Sequence, residues 1–200
     1  MSCQPSSSRR AGSMTAVLPD QLQPGLRIVI CGSAAGTESA RRGAYYAGRG
    51  NRFWRILAET GLTPRLLAPD EFSLLPTFGI GVTDLAKYAY GPDSAIKHHD
   101  YDRAGLATRI RACRPGMLAF NGKRAAAMFL GVRSHDLDYG DAPLVADFPP
   151  IFVLPSTSGA ASGHWDASCW HALAARVPRF ATTPSAAPPG QARGSLHRAS

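Results

Sequence analysis

Short apolar segments bounded by glycine or proline alternate along this chain with longer amphipathic stretches. The short segments are predicted strands over residues 26–31, 79–85, 117–121 and 151–154. The amphipathic stretches are predicted helices over residues 51–60, 101–113, 123–130 and 166–177, and Asn51 is the predicted N-cap of the first. Strands that are apolar throughout are typical of parallel sheets covered on both faces by helices. The pattern therefore predicts an α/β fold, a three-layer α/β/α sandwich with a mainly parallel central sheet of at least four strands.

The two ends of the chain differ in composition from the region between them. Residues 1–25 and 181–200 are rich in Ser, Pro, Ala and Gly, and such segments bury too little apolar surface to offset the entropy of ordering. We expect two flexible tails around one domain at residues 26–180, since the chain has 200 residues and a hydrophobic content of 44%.

Cysteine spacing and hydropathy bear on the compartment. The four cysteines lie far apart without a CxxC pair, and neither a signal peptide nor an apolar segment of membrane length is visible. The histidines show no metal-ligand spacing. We expect a cytoplasmic protein with reduced thiols, no membrane span and no structural zinc.

The positive charge of the chain is mostly arginine. The 22 Lys and Arg residues exceed the 14 Asp and Glu residues, which leaves a net charge of +8, and 19 of the cations are Arg. Residues 26–180 retain a charge of +5, so the excess belongs to the predicted domain and not only to its tails. The balance indicates an anionic partner.

Part of this charge lies in a run that mixes cations with aromatic rings. The run holds Arg41, Arg42, Arg49, Arg52 and Arg55 together with Tyr45, Tyr46, Phe53 and Trp54. Cations for phosphates beside rings for bases indicate nucleic-acid binding. The alternative is a solvated face of arginines over a core, which we expect for Phe53 and Trp54. Tyr45 and Tyr46 lie in a glycine-flanked segment and are harder to explain as core residues.

Two further segments directly follow predicted strands. In parallel sheets, ligands bind at the carboxyl ends of the strands, where such segments lie. CGSAAG, at residues 31–36, is expected to form a glycine-bounded loop whose N–H groups line an anion or carbonyl pocket, or else an ordinary tight turn. LPSTSGAASGHW, at residues 154–165, is a loop of small hydroxyl residues suited to a close approach to a phosphodiester backbone, or else an ordinary surface loop.

Asp84 comes near the end of the second predicted strand. A carboxylate in a buried strand costs desolvation free energy unless it is paired, which makes Asp84 a candidate general base with a shifted pKa. The alternative is a structural role as the cap of a following helix, because Thr83 and Asp84 are both good capping residues.

Five motifs, taken in order, resemble those of the uracil-DNA glycosylase superfamily, and most closely those of its mismatch-specific uracil and thymine-DNA glycosylase branch. They read CGSAAG, GAYYAGRGNRFW, GVT, AFNGK and LPSTSG, and the resemblance covers about residues 26–177. The resemblance implies an enzyme that flips a nucleotide out of the DNA stack and cleaves the bond between base and deoxyribose without a metal or redox cofactor. We accordingly expect a monomer that acts on DNA at the nucleoid.

The resemblance also implies roles for individual residues. Tyr46 occupies the aromatic position that stacks on the flipped base, Ser156 a position that contacts the target nucleotide, and Ala160 that of the wedge that fills the emptied stack. The implied substrate-binding residues are Gly32, Ser33, Ala34, Tyr46, Asn51, Ser156 and Ser158. The implied DNA-binding residues are Arg41, Arg42, Arg49, Gly159, Ala160 and Ser162.

The chain departs from the family pattern at the first motif. Ala34 stands where the family has its water-activating Asn, and a methyl group can neither orient nor deprotonate water. We therefore expect Asp84 to be the catalytic residue, while backbone N–H groups near Ser33 stabilise charge on the leaving base. Ala160 is small for a wedge, which favours mispaired or single-stranded uracil, because flipping such a base costs least.

The resulting hypothesis is a monofunctional uracil-DNA glycosylase that leaves an abasic site. No lysine stands at a motif position suited to forming a Schiff base, although Lys87 and Lys123 stay open as candidates. Two alternatives remain. One is a glycosylase-fold module that has lost catalysis and only holds damaged or single-stranded DNA, and the other is a glycosylase for another deaminated base, such as hypoxanthine or xanthine.

Overall fold

A computed structural model of the chain describes residues 15–178, except for the side chains of residues 162 and 164. A five-stranded sheet lies at its centre, in the order β2-β1-β3-β5-β4. The strands are β1 (Ile28–Ala35), β2 (Ile80–Tyr90), β3 (Leu118–Asn121), β4 (Gly140–Asp141) and β5 (Ile151–Leu154). All neighbours pair in parallel except β4, which runs antiparallel to β5. The predicted α/β fold with a mainly parallel sheet is confirmed.

Helices pack on both faces of this sheet. They are α1 (Thr37–Arg42), α2 (Phe53–Glu59), α3 (Arg103–Cys113), α4 (Lys123–Leu130) and α5 (Ala167–Arg176), and 3-10 turns lie at Pro69–Phe78, His98–Asp100, Ser134–Asp136 and Gly159–His164. Successive residues of a strand point to opposite faces, so Ile30 packs in a core cluster with α2 and α5, and Cys31 packs in a second cluster with α3 and α4. Two apolar clusters on either side of one sheet make the three layers.

Several predicted element boundaries were wrong. Helix α2 begins at Phe53, with Arg52 in the N-cap position, while the Asn51 side chain accepts a hydrogen bond from the Phe53 N–H at 3.0 Å. The segment 31–36 is not a tight loop, because β1 continues to Ala35 in register with β2. The sequence shows only small residues there, and small residues carry little strand signal.

The cap interpretation of Asp84 was also wrong. Strand β2 continues through Asp84 to Tyr90, and no helix begins at that point. Asp84 pairs in register with Gly32 of β1. The backbone of Asp84 is therefore fixed by strand pairing on β2 and does not belong to a loop before a helix.

Part of the predicted N-terminal tail packs on the domain. The Val17 N–H donates to the Lys87 carbonyl at 2.8 Å, and the Gln21 N–H donates to the Val82 carbonyl at 3.0 Å, which lays this segment along β2. Leu18 is buried in the core. The rest of the predicted N-terminal tail, at residues 1–14, and the predicted C-terminal tail lie outside the described residues. Within residues 15–178, no helix has the length and apolar character needed to cross a membrane.

Candidate active site

A cleft of about 690 Å³ opens at the carboxyl end of the parallel strands. This is the edge at which ligands bind in parallel α/β sheets, and the volume suits one small molecule or one nucleotide base with its sugar. Its lining includes Gly32, Ser33 and Ala34 of β1, Asp84 of β2, Asn121 of β3, Tyr46, Asn51, Lys123 and Arg124, and Ser156, Thr157, Ser158 and Ala160 from the segment after β5.

Three groups converge at the floor of the cleft. Because Gly32 and Asp84 are register partners, the Asp84 carboxylate lies directly over the Gly32 backbone. A Cβ atom on Gly32 would lie 2.6 Å from Asp84 Oδ1 and 3.3 Å from the Tyr46 hydroxyl. A contact of 2.6 Å between such atoms is too short for any side chain, so the absence of a side chain at Gly32 leaves room for the carboxylate and the hydroxyl on either side of its Cα.

Asp84 is a buried residue whose carboxylate has no partner within the described part of the chain. It is only 4% exposed, and its carboxylate forms no hydrogen bond or ion pair with any of residues 15–178. Burial raises the pKa of Asp84 to about 7, Lys87 and Arg109 oppose that rise, and Asp20 adds to it. A carboxylate with this pKa exchanges its proton near neutral pH, which is the property required of a general base.

Tyr46 forms one wall of the cleft. Its ring stacks on Phe53, with centroids 3.8 Å apart and planes inclined by 25°. Its backbone has a φ of +53°, in the left-handed region that non-glycine residues seldom adopt, and such conformations concentrate at functional sites. Its buried hydroxyl makes no hydrogen bond of ordinary geometry within the described chain. Burial first, and then the charge of Asp84, raise the pKa of this hydroxyl well above its usual value, and the nearby Asn121 amide opposes the rise.

Tyr45 has a different role from that of its neighbour. It is 1% exposed and packs in the core cluster that contains Phe53 and Trp54, and its ring lies edge-on to Phe72 at 5.6 Å. The expectation that neither tyrosine is a core residue was therefore wrong for Tyr45. Its hydroxyl accepts a hydrogen bond from Lys87 at 3.3 Å.

Asn121 and Thr157 form a fixed pair on the wall opposite β2. The Asn121 Nδ2 donates to the Thr157 hydroxyl at 2.8 Å, and the Thr157 N–H donates to Asn121 Oδ1 at 2.9 Å. The Thr157 carbonyl accepts from the Arg52 N–H at 2.9 Å, which anchors the segment after β5. These bonds set the orientation of the Asn121 amide and leave one N–H and one lone pair free for a ligand. Sequence analysis did not select either residue as a site residue, although Asn121 ends a buried strand in the AFNGK motif.

Two cations lie at the start of α4, beside the cleft. Arg124 is exposed, and its Nε donates to the Tyr101 hydroxyl at 2.8 Å. The Lys123 ammonium lies 4.5 Å from the centre of the Tyr139 ring. Both line the cleft, so they can meet an anionic ligand there. Neither was predicted to bind DNA from the sequence, because a single Lys-Arg pair without further cations beside it carries little local signal.

The predicted substrate-binding residues are brought together. Gly32, Ser33, Ala34, Tyr46, Asn51, Ser156 and Ser158 all line the cleft, as does Ala160 of the predicted DNA-binding set. The Ser156 hydroxyl accepts a hydrogen bond from the Ser158 N–H at 3.3 Å. The Ala34 methyl group faces the cleft where the resembling family has an amide. These placements agree with the predicted site, and the roles of these residues stay predictions.

Arg41, Arg42, Arg49 and Gly159 of the predicted DNA-binding set are not among the residues described as lining the cleft. Arg41 pairs with Glu38 at 2.8 Å and Arg42 pairs with Asp70 at 2.9 Å, whereas Arg49 is exposed and has no partner among the described residues. Gly159 packs against the turn at Arg49, and a Cβ on it would lie 3.4 Å from the Arg49 carbonyl oxygen. The side chain of Ser162 lies outside the described residues. The DNA-binding role of this set stays a prediction.

Comparison with known proteins establishes the family. The family model of the uracil DNA glycosylase superfamily matches residues 19–176. This is most of the chain, so the protein belongs to that superfamily, and the resemblance seen in the sequence is confirmed at this level. The branch within the superfamily stays a prediction.

A solved structure agrees with the family in fold. The solution NMR structure of a protein from Methanosarcina acetivorans, provisionally named a uracil DNA glycosylase, is 25% identical to this chain with a TM-score of 0.55. The match covers 80% of this chain and 96% of that one. The domain described above therefore corresponds to nearly the whole of that protein.

Proposed function

We propose that this protein is a monofunctional uracil-DNA glycosylase that acts on mismatched or single-stranded uracil and leaves an abasic site. The observation that supports this most is the buried, unpaired carboxylate of Asp84 in a cleft of nucleotide size, within a chain of the uracil DNA glycosylase superfamily. The substrate and the mismatch preference are part of the proposal.

The cleft offers the contacts that a flipped base needs. The Tyr46 ring, backed by Phe53, provides a flat face on which a base can stack, and such stacking contributes about 1–3 kcal/mol per base. The amide of Asn121 presents one donor and one acceptor to the edge of the base. A stacking face and an oriented amide together suit a pyrimidine with paired carbonyl and N–H groups, as uracil has.

Asp84 serves in this proposal as the general base. It accepts a proton from a water molecule as the water oxygen bonds to the anomeric carbon of the sugar, and the N-glycosidic bond breaks with its electron pair passing to the base. The negative carboxylate also stabilises the positive charge that develops on the sugar. The departing base is stabilised by hydrogen bonds from the cleft, for which Asn121 and the backbone near Ser33 are placed.

Lys87 is poorly suited to Schiff-base chemistry, which supports a monofunctional enzyme. Its ammonium pairs with Asp20 at 2.6 Å and donates to the Leu18 carbonyl at 2.6 Å and to the Tyr45 hydroxyl at 3.3 Å. Those contacts hold the Lys87 amine in the core, and Lys87 is not among the described residues that line the cleft, whereas a Schiff base requires the amine to reach the sugar. Lys123 lines the cleft, so borohydride trapping on uracil DNA is the check, and we expect no covalent adduct.

The expected substrate preference follows from Ala160. This residue lies at the cleft and is exposed, and its single methyl group cannot fill the space that a base vacates in the duplex. Without a side chain that fills the vacated space, the enzyme recovers little of the free energy that base flipping costs. It therefore depends on bases that unstack readily. We therefore expect faster release from G·U pairs and single strands than from A·U pairs.

The test is single-turnover base release from oligonucleotides that carry G·U, A·U, single-stranded U, G·T or hypoxanthine. Asp84→Asn should lower the rate on uracil by about 10²–10⁴-fold, the usual contribution of a general base. Asp138→Asn, at an exposed aspartate outside the cleft, is the matched control and should retain the wild-type rate. Ala34→Asn should raise the rate if the amide can share the work of Asp84.

Three outcomes would contradict the proposal. Full activity in Asp84→Asn would remove Asp84 from catalysis. Release of hypoxanthine in preference to uracil would change the substrate class. No release from any substrate, with damaged DNA still bound, would favour a binding module that has lost catalysis.

A further inference from the structure

Asp20 lies at the centre of a cluster of charges beside Asp84. The packed N-terminal segment brings its carboxylate to 2.6 Å from the Lys87 ammonium and to 3.2 Å from Arg109 Nε. The Thr83 hydroxyl donates to the same carboxylate at 2.6 Å. Asp20 therefore contacts two cations and one hydroxyl that come from β2 and α3.

Both cations that act electrostatically on Asp84 belong to this cluster. Lys87 lies on the same strand as Asp84 and is 4% exposed. Arg109 donates to the main-chain carbonyl of Asp84 at 3.4 Å, so its guanidinium lies close to the site. Neither forms an ion pair with the Asp84 carboxylate within the described chain, and both lie within ion-pair distance of Asp20, although the Arg109 Nε–H makes no hydrogen bond of ordinary geometry.

We propose that Asp20 is a positioning residue of the active site, which holds Lys87 and Arg109 in ion pairs and so leaves the Asp84 carboxylate free of a cationic partner. The inference rests on the proposed function, in which Asp84 is the general base. A carboxylate in an ion pair would be a weaker base and would have its oxygens occupied. Asp20 acts through the two cations and not on the substrate.

The other groups near Asp84 do not disturb this balance at neutral pH. Burial raises the pKa of Cys31 on β1 and of Tyr45 and Tyr46 in the segment before α2. All three groups are therefore uncharged at neutral pH. Asp102 also pairs with Arg109, at 3.7 Å, but it is 40% exposed and has no resolved effect on Asp84. The charge that faces Asp84 is thus set by Lys87 and Arg109 against Asp20.

The experiment compares the titration of Asp84 in the wild type and in Asp20→Asn. Carboxyl ¹³C NMR follows the ionisation directly, and the resonance is assigned by its absence in Asp84→Asn. With Asp20 neutral, two cations face one carboxylate, and the pKa of Asp84 should fall by roughly one pH unit or more, the usual effect of an opposite charge at close range. The acid limb of the pH–rate profile should move to lower pH by the same amount.

Two further variants separate charge from packing. Asp20→Asn with Lys87→Met removes one charge of each sign and should bring the titration of Asp84 back toward the wild type, and this balanced variant also serves if the single variant does not fold. Asp20→Glu keeps the charge and should rescue both the titration and the rate. Asp102→Asn removes the exposed partner of Arg109 and should leave Asp84 unchanged.

The outcomes distinguish this inference from the proposed function. An Asp84 titration that does not move in Asp20→Asn, or that moves equally in Asp102→Asn, would overturn the role of Asp20. Full activity in Asp84→Asn would instead overturn the catalytic proposal, whatever the NMR titration shows. A pH–rate profile that follows the NMR titration in every variant would support both.

Discussion

The charges beside the cleft fall into two sets that differ in how they are balanced. Lys87 and Arg109 both pair with Asp20, whose carboxylate lies 2.6 Å from the Lys87 ammonium and 3.2 Å from Arg109 Nε. Asp84 is buried next to them and has no ion pair within the described chain. A buried charge is costly unless it is paired, so an unpaired one persists where function uses it. We infer that the paired charges of Asp20, Lys87 and Arg109 stabilise the fold, whereas the unpaired Asp84 serves the reaction.

Removing a cation from the paired set should change the stability of the fold most. Lys87→Met should lower the free energy of unfolding by about 3–5 kcal/mol, because Asp20 loses a buried partner while the Leu18 carbonyl and the Tyr45 hydroxyl lose their donor. Urea denaturation at pH 7 measures this change.

The control for Lys87→Met is an ion pair on the surface. Arg133 and Asp136 lie 2.9 Å apart with side chains 74% and 43% exposed. Arg133→Met should cost no more than about 1 kcal/mol, since water screens such pairs. Equal losses in the two variants would break the comparison, because burial of the Lys87 pair would then add nothing.

Asp84→Asn should have the opposite effect on stability, and the effect should depend on pH. The folded protein keeps the proton of Asp84 up to a pKa of about 7, whereas the unfolded chain releases it near its ordinary value. The native state therefore binds more protons than the unfolded state between about pH 4 and 7, and the wild type loses stability as pH rises through that window. The Asn variant has no such loss.

Unfolding of both proteins at pH 4 and at pH 8 measures this difference. The variant should gain on the wild type by on the order of 2–4 kcal/mol between the two pH values, at 1.36 kcal/mol for each unit of pKa difference. The same comparison for Asp138→Asn, at an exposed site, should show no gain. A wild type that gains stability from pH 4 to pH 8 relative to Asp84→Asn would mean that the carboxylate is paired after all.

Gly32→Ala tests the position of the unpaired carboxylate. The new methyl group would lie 2.6 Å from Asp84 Oδ1, so the carboxylate must turn away. We expect a loss of stability of about 1–3 kcal/mol from overpacking and a rate lower by about 10²-fold from misplacement of the base. Gly163→Ala is the control, because Gly163 is exposed, lies outside the described lining of the cleft and has nothing within 4 Å of the added Cβ. If Gly32→Ala kept both rate and stability, the close approach would have no consequence.

The sheet and the place of Asp84 were predictable for the same reason. Each long strand is a run of apolar residues whose alternate members enter the two core clusters, such as Ile30 and Cys31. An aspartate inside such a run is conspicuous, and its burial follows from the strand. The burial of Lys87 near the end of β2 was not predictable, because a lysine is normally a surface residue. Its partner Asp20 lies outside the predicted domain, so nothing in the local sequence indicates the ion pair.

The rest of the cleft depends on contacts that are distant in the chain. Asn121 and Thr157 are 36 residues apart, and nothing local to either shows that one fixes the orientation of the other. Tyr45 and Tyr46 are neighbours of one type and both border the cleft, yet Tyr45 is a fully buried member of the core cluster, whereas Tyr46 is only partly buried. This difference coincides with the left-handed backbone conformation of Tyr46. The local sequence does not predict that conformation, because tyrosine has no preference for it.

The smallest expected effect extends the comparison to the protein surface. Arg49 is exposed and unpaired within residues 15–178, whereas Arg41 is already neutralised by Glu38. Arg49→Gln should weaken binding to all DNA sequences alike and reduce the slope of log K against log salt by about 1, because a phosphate contact carries no base information. Arg41→Gln, the matched change, should reduce the slope less, since Glu38 competes with phosphate for that guanidinium. Salt titrations of binding to an uncleavable oligonucleotide measure both slopes, and equal reductions would show that pairing with a carboxylate does not decide which arginines meet DNA.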